Sequence, residues 1–414
     1  MQLRIFRARE LAVWDAAEYG GCDVEEEIAL SLERMKLYGA AMVLLAAPVV
    51  LAQGGMTANE RFAGVGDSPQ NAGPLAKNLS GSTQPADVRA AMKRVADWQL
   101  ERVKERPSQD WTFATMYAGF MAASKTLHDL KYADYVKGVA EHFDWTLGPR
   151  KMHADDQAIG QSYLVLYELQ KEPKRITALK TQFDEIMTAP DDPKKPVWWW
   201  CDALFMAPPV WAKLSQVTGD AKYDVYMDHE WKVTDDLLWD KDEHLFFRDA
   251  TYFDKREKNG AKIFWSRGNG WVMGGLVRVL EVLPKSDPSY GFYETRLKEM
   301  AARVATLERP DGLWSPGLLD TANYALPEVS GSAFFVYAMA WGINHGELDA
   351  KRYRPIVVRA WKALVTEHIF ADGRLGSIQP VGAAPGAFTA TSSYVFGTGA
   401  FLMAGSEVAK LGRP

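Results

Sequence analysis

Asp202 is a lone carboxylate set directly behind three tryptophans and ahead of an apolar, helix-like run in the stretch VWWWCDALFMAPPVW, Val197 to Trp211. Aromatic neighbours lower the local dielectric and raise a carboxyl pKa toward the range useful to a general acid. The same position also suits a helix cap, and residue types alone leave both readings open. Three consecutive tryptophans cannot all face inward in a regular element, so at least one is expected to line a cleft. A second acidic pair, Asp155 and Asp156, sits in HADDQAIGQ beside His153. These types occur both at helix starts and in metal sites, but no second cluster of His, Cys or acid at ligand spacing joins them, so no metal and no cofactor is expected. A third stretch, FWSRGNGW, places Arg267 between Trp265 and Trp271. Arg is the usual partner of a carboxylate and Trp faces suit sugar rings, so Arg267 is the first candidate to hold an acidic ligand. The Gly-Asn-Gly turn is no phosphate loop, because the Walker spacing and its Lys are absent.

The elements that must position these residues repeat one theme. Six times a tip of aromatic, acidic, Gly or Ser residues leads into a helix-length run dense in Ala, Gly, Leu and Met, beginning near Asp110, His153, Trp200, Ser266, Glu328 and Thr391. The tips lie about 40 to 70 residues apart, a period that signals a helical repeat. Between them run amphipathic stretches with one charged face, such as ADVRAAMKRVADWQLERV and YRPIVVRAWKALVTEHI. Helices apolar all round are buried and helices with a charged face lie outside. The pattern therefore predicts an all-α (α/α)6 barrel of six inner and six outer helices. The longer later spacings call for insertions at one rim, including a small β-hairpin in which DEHLFFRDATYF and AKIFWSRG flank DKREKNG.

The formal charge of −5 and a sequence pI near 5.9 argue against a partner bound through its phosphates, so no nucleic acid is expected. From Met35, MKLYGAAMVLLAAPVVLAQGG has the layout of a secretory signal peptide ending at Ala52, with an apolar run too short to span a bilayer. The expected organisation is an extension over 1–34 preceding the true start, a signal over 35–52, a flexible leader or wrapping segment over 53–84 and a barrel domain over 85–414. A periplasmic or secreted protein follows, with no membrane association after cleavage.

Six stretches together resemble family 105 of the glycoside hydrolases, the unsaturated rhamnogalacturonyl hydrolases: HADDQAIGQSYLVLYE, WWWCDALFMAPPVWAKLSQVTGD, FWSRGNGWVMGGLVRVL, DGLWSPGLLD, PEVSGSAFFVYAMAWGIN and DGRLGSIQPVG. The similarity runs from about Pro85 to the C-terminus. It implies the (α/α)6 barrel and release of a 4,5-unsaturated uronic acid from the non-reducing end of lyase-generated oligosaccharides. The implied reaction is hydration of a vinyl ether, with Asp202 as acid and base. Asp155 matches the family's second aspartate, with Asp156 the close alternative. Trp200, Trp265, Arg267 and Trp271 match positions around the unsaturated ring, and His153 belongs to the acidic motif. Arg248 stands where several relatives are expected to carry a His, which leaves the exact glycan open. A polysaccharide lyase, an ordinary inverting glycosidase or a non-catalytic glycan-binding protein on the same barrel are the competing readings.

Overall fold

The computed structural model describes residues 65–189 and 196–412. The extension over 1–34 and the signal over 35–52 lie outside the described residues, as does the start of the leader. In chain order the elements are strand β1 (Gly66–Asp67), helices α1 (Pro85–Val103), α2 (Trp111–Leu127), α3 (Lys131–His142), α4 (Ala154–Gln157), α5 (Gly160–Leu169), α6 (Lys174–Ile186), α7 (Ala203–Met206), α8 (Pro208–Thr218) and α9 (Lys222–Leu238), then strands β2 (Trp239–Asp240) and β3 (Leu245–Phe246). Helices α10 (Ser266–Leu280), α11 (Tyr290–Val304), α12 (Val329–His345) and α13 (Ala350–His368), strand β4 (Ser393–Tyr394) and helix α14 (Val395–Leu411) complete the chain.

The two kinds of helix separate as their sequences require. In α12 every residue from Val329 to Gly342 is buried. The outer α13 instead buries one stripe, including Tyr353, Ile356, Val357, Ala360, Trp361 and Leu364, at the three-and-four spacing of an amphipathic helix. The inner set is α2, α4 with α5, α7 with α8, α10, α12 and α14. Each packs on the next and α14 packs back on α2, so the ring closes. The outer set is α1, α3, α6, α9, α11 and α13, and the six-plus-six barrel is as expected. Ala-Pro-Pro at Ala207–Pro209 interrupts the third inner segment, because a proline ring removes a helical donor and is tolerated in a first turn. Small residues set how closely inner helices approach. A Cβ on Gly119 of α2 would lie 2.6 Å from the Cα of Gly399 of α14.

One expectation needs correction, and the described part of the leader takes the wrapping form. β1 pairs antiparallel with β4, Val65 is buried, Ala76 donates to the Ile369 carbonyl at 2.8 Å, and Asp67 pairs with Arg102 and Arg374. The β-hairpin lies earlier than expected, with Trp239 opposite Phe246, whereas DKREKNG forms no named strand and closes as a tight turn through the bridge Arg256–Lys262 and the Glu257 N–H to Ala261 carbonyl bond at 2.9 Å. Phe246 and Phe247 are drawn into packing against Trp231, Trp239 and Phe264, which overrides the local β-propensity downstream.

Candidate active site

The inner helices follow the outer ones in alternation, so their N-termini gather at one rim. Three of those N-termini bring carboxylates together. Asp110 caps α2, its Oδ1 accepting from the backbone N–H of Thr112 at 3.0 Å. Asp155 lies in the first turn of α4. Asp202 precedes α7, yet its backbone is helical and its side chain makes no capping bond, so capping does not account for this aspartate. Its Oδ2 lies 3.5 Å from Arg248 Nε instead.

Asp155 is the perturbed member. Its side chain keeps 16 % of its surface open. Desolvation by the surrounding protein pushes its pKa up to about 8, opposed by Arg150 and reinforced by the charges of Asp110, Asp156 and Asp202. The backbone N–H of Asp155 donates to His153 Nδ1 at 3.3 Å, and the His153 ring lies 4.7 Å from that of Trp200. The adjacent Asp156 has a different task. Its carboxylate is buried and takes a fork from Arg150, with Nη2 to Oδ1 at 2.6 Å and Nε to Oδ2 at 3.2 Å, and also accepts the Arg150 backbone N–H at 2.7 Å. Asp156 is thus engaged by Arg150, while Asp155 keeps part of its surface open and feels the charge of Asp202.

A cleft of about 440 Å³ opens beside these groups, lined by Arg150, Lys151, Met152, His153, Val197, Trp199 and Trp200. Of the three tryptophans, Trp198 is core, while Trp199 and Trp200 line the cleft with ring centroids 4.9 Å apart. The Arg248 guanidinium lies 5.4 Å over the Trp199 ring and donates to Asp249 at 2.6 Å.

The FWSRGNGW residues sit deeper than expected. Trp271 packs against Trp111, Phe205 and Phe334 in the barrel core. Arg267 has no exposed surface; Nη1 donates to the Gln379 carbonyl at 2.7 Å and Nη2 to that of Pro380 at 2.6 Å. Burial lowers its pKa to about 10. Trp265 lies beneath it, 4.4 Å from the guanidinium, and donates to Gln379 Oε1 at 3.2 Å. A ligand carboxylate would have to displace two main-chain carbonyls from Arg267, whereas Arg150 and Arg248 stand at the cleft. The sequence left open which of the three tryptophans lines the cleft, and it did not single out Arg150. The signal available for Arg150 was an arginine six residues ahead of a carboxylate in PRKMHADD.

The chain matches a family model described as Glycosyl Hydrolase Family 88 over residues 87–412. It is 41% identical over 346 residues, covering 79% of this chain and 91% of the relative, to a protein from Formosa agariphila named unsaturated 3S-rhamnoglycuronyl hydrolase. Among solved structures, a glycosyl hydrolase family 88 protein from Bacteroides vulgatus superposes with a TM-score of 0.75 at 31% identity, covering 78% of this chain and 98% of the other. A protein described as a polysaccharide lyase superposes with a TM-score of 0.74 at 33% identity, with 79% and 98% covered. Motifs, closed ring and these likenesses agree, and the chain belongs to glycosyl hydrolase family 88.

Proposed function

We propose that this protein is an unsaturated rhamnoglycuronyl hydrolase acting at the non-reducing end of oligosaccharides left by a polysaccharide lyase. The observation that carries the reading is the Asp155–Asp202 pair beside an aromatic, arginine-flanked cleft, with one carboxyl pushed up to about 8. Two interacting carboxylates titrate as a unit and retain a proton near neutrality. Asp155 holds a proton in the free enzyme up to about pH 8, and Arg248 stands 3.5 Å from Asp202.

Such a pair suits a vinyl ether better than an ordinary glycosidic bond, since a single acid–base unit suffices. Asp202 is assigned to proton transfer. A proton delivered to C4 leaves an oxocarbenium centre at C5, water adds there, and its proton returns to the carboxylate pair. The hemiketal opens to a ketone at C5, and the aglycone then departs from C1. Asp155 and His153 hold water or sugar hydroxyls. Trp199 and Trp200 supply ring contacts, and Arg150 and Arg248 neutralise the uronate. Lysis consumes no water and creates the same double bond, and the lyase-described structure favours that second reading. One assay separates them. On an unsaturated oligosaccharide the hydrolase erases the ultraviolet absorbance of the conjugated C4=C5 bond, whereas a lyase on intact polysaccharide generates it. Generation of absorbance with no consumption would overturn the proposal. Export to the periplasm or beyond is proposed alongside it, consistent with a polymer-derived substrate, and fractionation of the producing cell tests it.

A further inference from the structure

Glu328 is a fully buried carboxylate that the proposed chemistry does not use. Its side chain caps α12, accepting from the backbone N–H groups of Ser330 at 3.3 Å and Gly331 at 2.7 Å and from the Ser330 hydroxyl at 2.8 Å. It then reaches beyond its own helix to accept the backbone N–H of Gln379 at 3.0 Å. Arg267 holds the other end of the same residue through the Gln379 carbonyl, and lies 3.8 Å from Glu328. The Gln379 side chain is also engaged: Oε1 accepts from Trp265 and from the Gly386 N–H at 3.3 Å, and Nε2 donates to Ala384 O at 2.7 Å. A buried acid and a buried base thus grip one residue at the root of the loop 379–390, which crosses the rim between α13 and α14.

The grip is continuous with the acid pair. Arg267 is followed by Gly268, where an added Cβ would lie 3.0 Å from the sulfur of Cys201, the residue before Asp202. The loop beyond the grip is built of small and apolar residues, Val381 to Phe388, mostly half-exposed. The cleft described above is lined by Arg150 to His153, Val197, Trp199 and Trp200, and no residue of the 379–390 loop lines it.

We propose that Glu328 and Arg267 are positioning residues that hold the 379–390 loop as the wall against which the departing aglycone rests, so that this loop, and not the acid pair, sets preference for the sugar next to the scissile bond. This rests on the hydrolase reading. Buried charges that satisfy one another and a main-chain segment fix one arrangement, and loss of one partner leaves the other uncompensated.

The test uses two substrates, an unsaturated uronide with a methyl aglycone and the corresponding trisaccharide, on wild type, Glu328→Gln and Gln379→Ala. Gln379→Ala leaves the α12 cap intact and serves where Glu328→Gln fails to fold. Expected is a rise in KM of about tenfold or more for the trisaccharide with little change in kcat, and less than about twofold change for the methyl uronide, since a single charge-assisted bond is at stake. Limited proteolysis of the substrate-free proteins should cut within 379–390 faster in both variants. Equal losses on both substrates, or unchanged cleavage of the loop, would overturn the inference. A wild type that consumes neither substrate sinks the hydrolase reading and the aglycone wall together, while loop cleavage still decides the grip.

Discussion

Asp202 and Asp155 divide the residue-scale argument between them. Asp202→Asn keeps the side-chain shape but delivers no proton, so turnover should fall about 100-fold or more with the melting temperature nearly unchanged; near-normal turnover would move the chemistry elsewhere. For Asp155 the sign of the pH dependence follows from a pKa of about 8 folded against 3.8 for the free side chain. The folded state binds the extra proton between those values, so stability falls as pH rises through that window, and the penalty is complete above about 8. Asp155→Asn should therefore melt higher than wild type above pH 8, with the gap closing below 3.8, while losing activity. Wild-type kcat/KM should decline above about pH 8 as the proton leaves. Both acids stand out in the sequence because they lie at the head of apolar helical runs. The residue types around Arg267 promise an anion site, and only the fold reveals the main-chain carbonyls on its guanidinium. Arg150 was overlooked because its role depends on Asp156, a pairing that spacing alone does not show.

At the scale of elements, the small-residue runs announced the inner helices, and the described starts at Trp111, Ala154, Ser266 and Val329 fall within a residue of the expected tips. The hairpin was misplaced because strand propensity is a weak guide where aromatic packing decides. Two glycines separate packing from propensity. Gly119→Ala forces a methyl into the Gly399 backbone and should cost about 1–3 kcal/mol or more in a urea titration. Gly138, inside α3 with nothing within 4 Å, should gain up to about 1 kcal/mol on replacement by Ala. If both changes shift stability alike, close helix approach is not what Gly119 supplies.

For the whole molecule, the ring and its leader have separate contributions. A chain beginning at Gln53 retains β1, Val65 and the Asp67 ion pairs and should melt with the full chain. One beginning at Pro85 loses all three and should melt lower by several degrees, since about 1 kcal/mol shifts a melting temperature by a few degrees; equal melting temperatures would show that the β1–β4 pairing contributes nothing measurable. The leader's Gly, Ser and Pro content leaves flexible and wrapping forms open in the sequence, because single anchoring residues such as Asp67 do not stand out in it. The closure of the barrel has a consequence of its own. A Cβ on Gly412, just past α14, would sit 2.9 Å from the ring of Pro85, which opens α1. The two ends of the helical ring therefore touch, and no hairpin is privileged as the first. A circular permutant joined from Gly412 to Pro85 by a short linker and reopened at the left-handed Gly219 turn, on the face away from the acids, should rebuild the same barrel with the same chemistry.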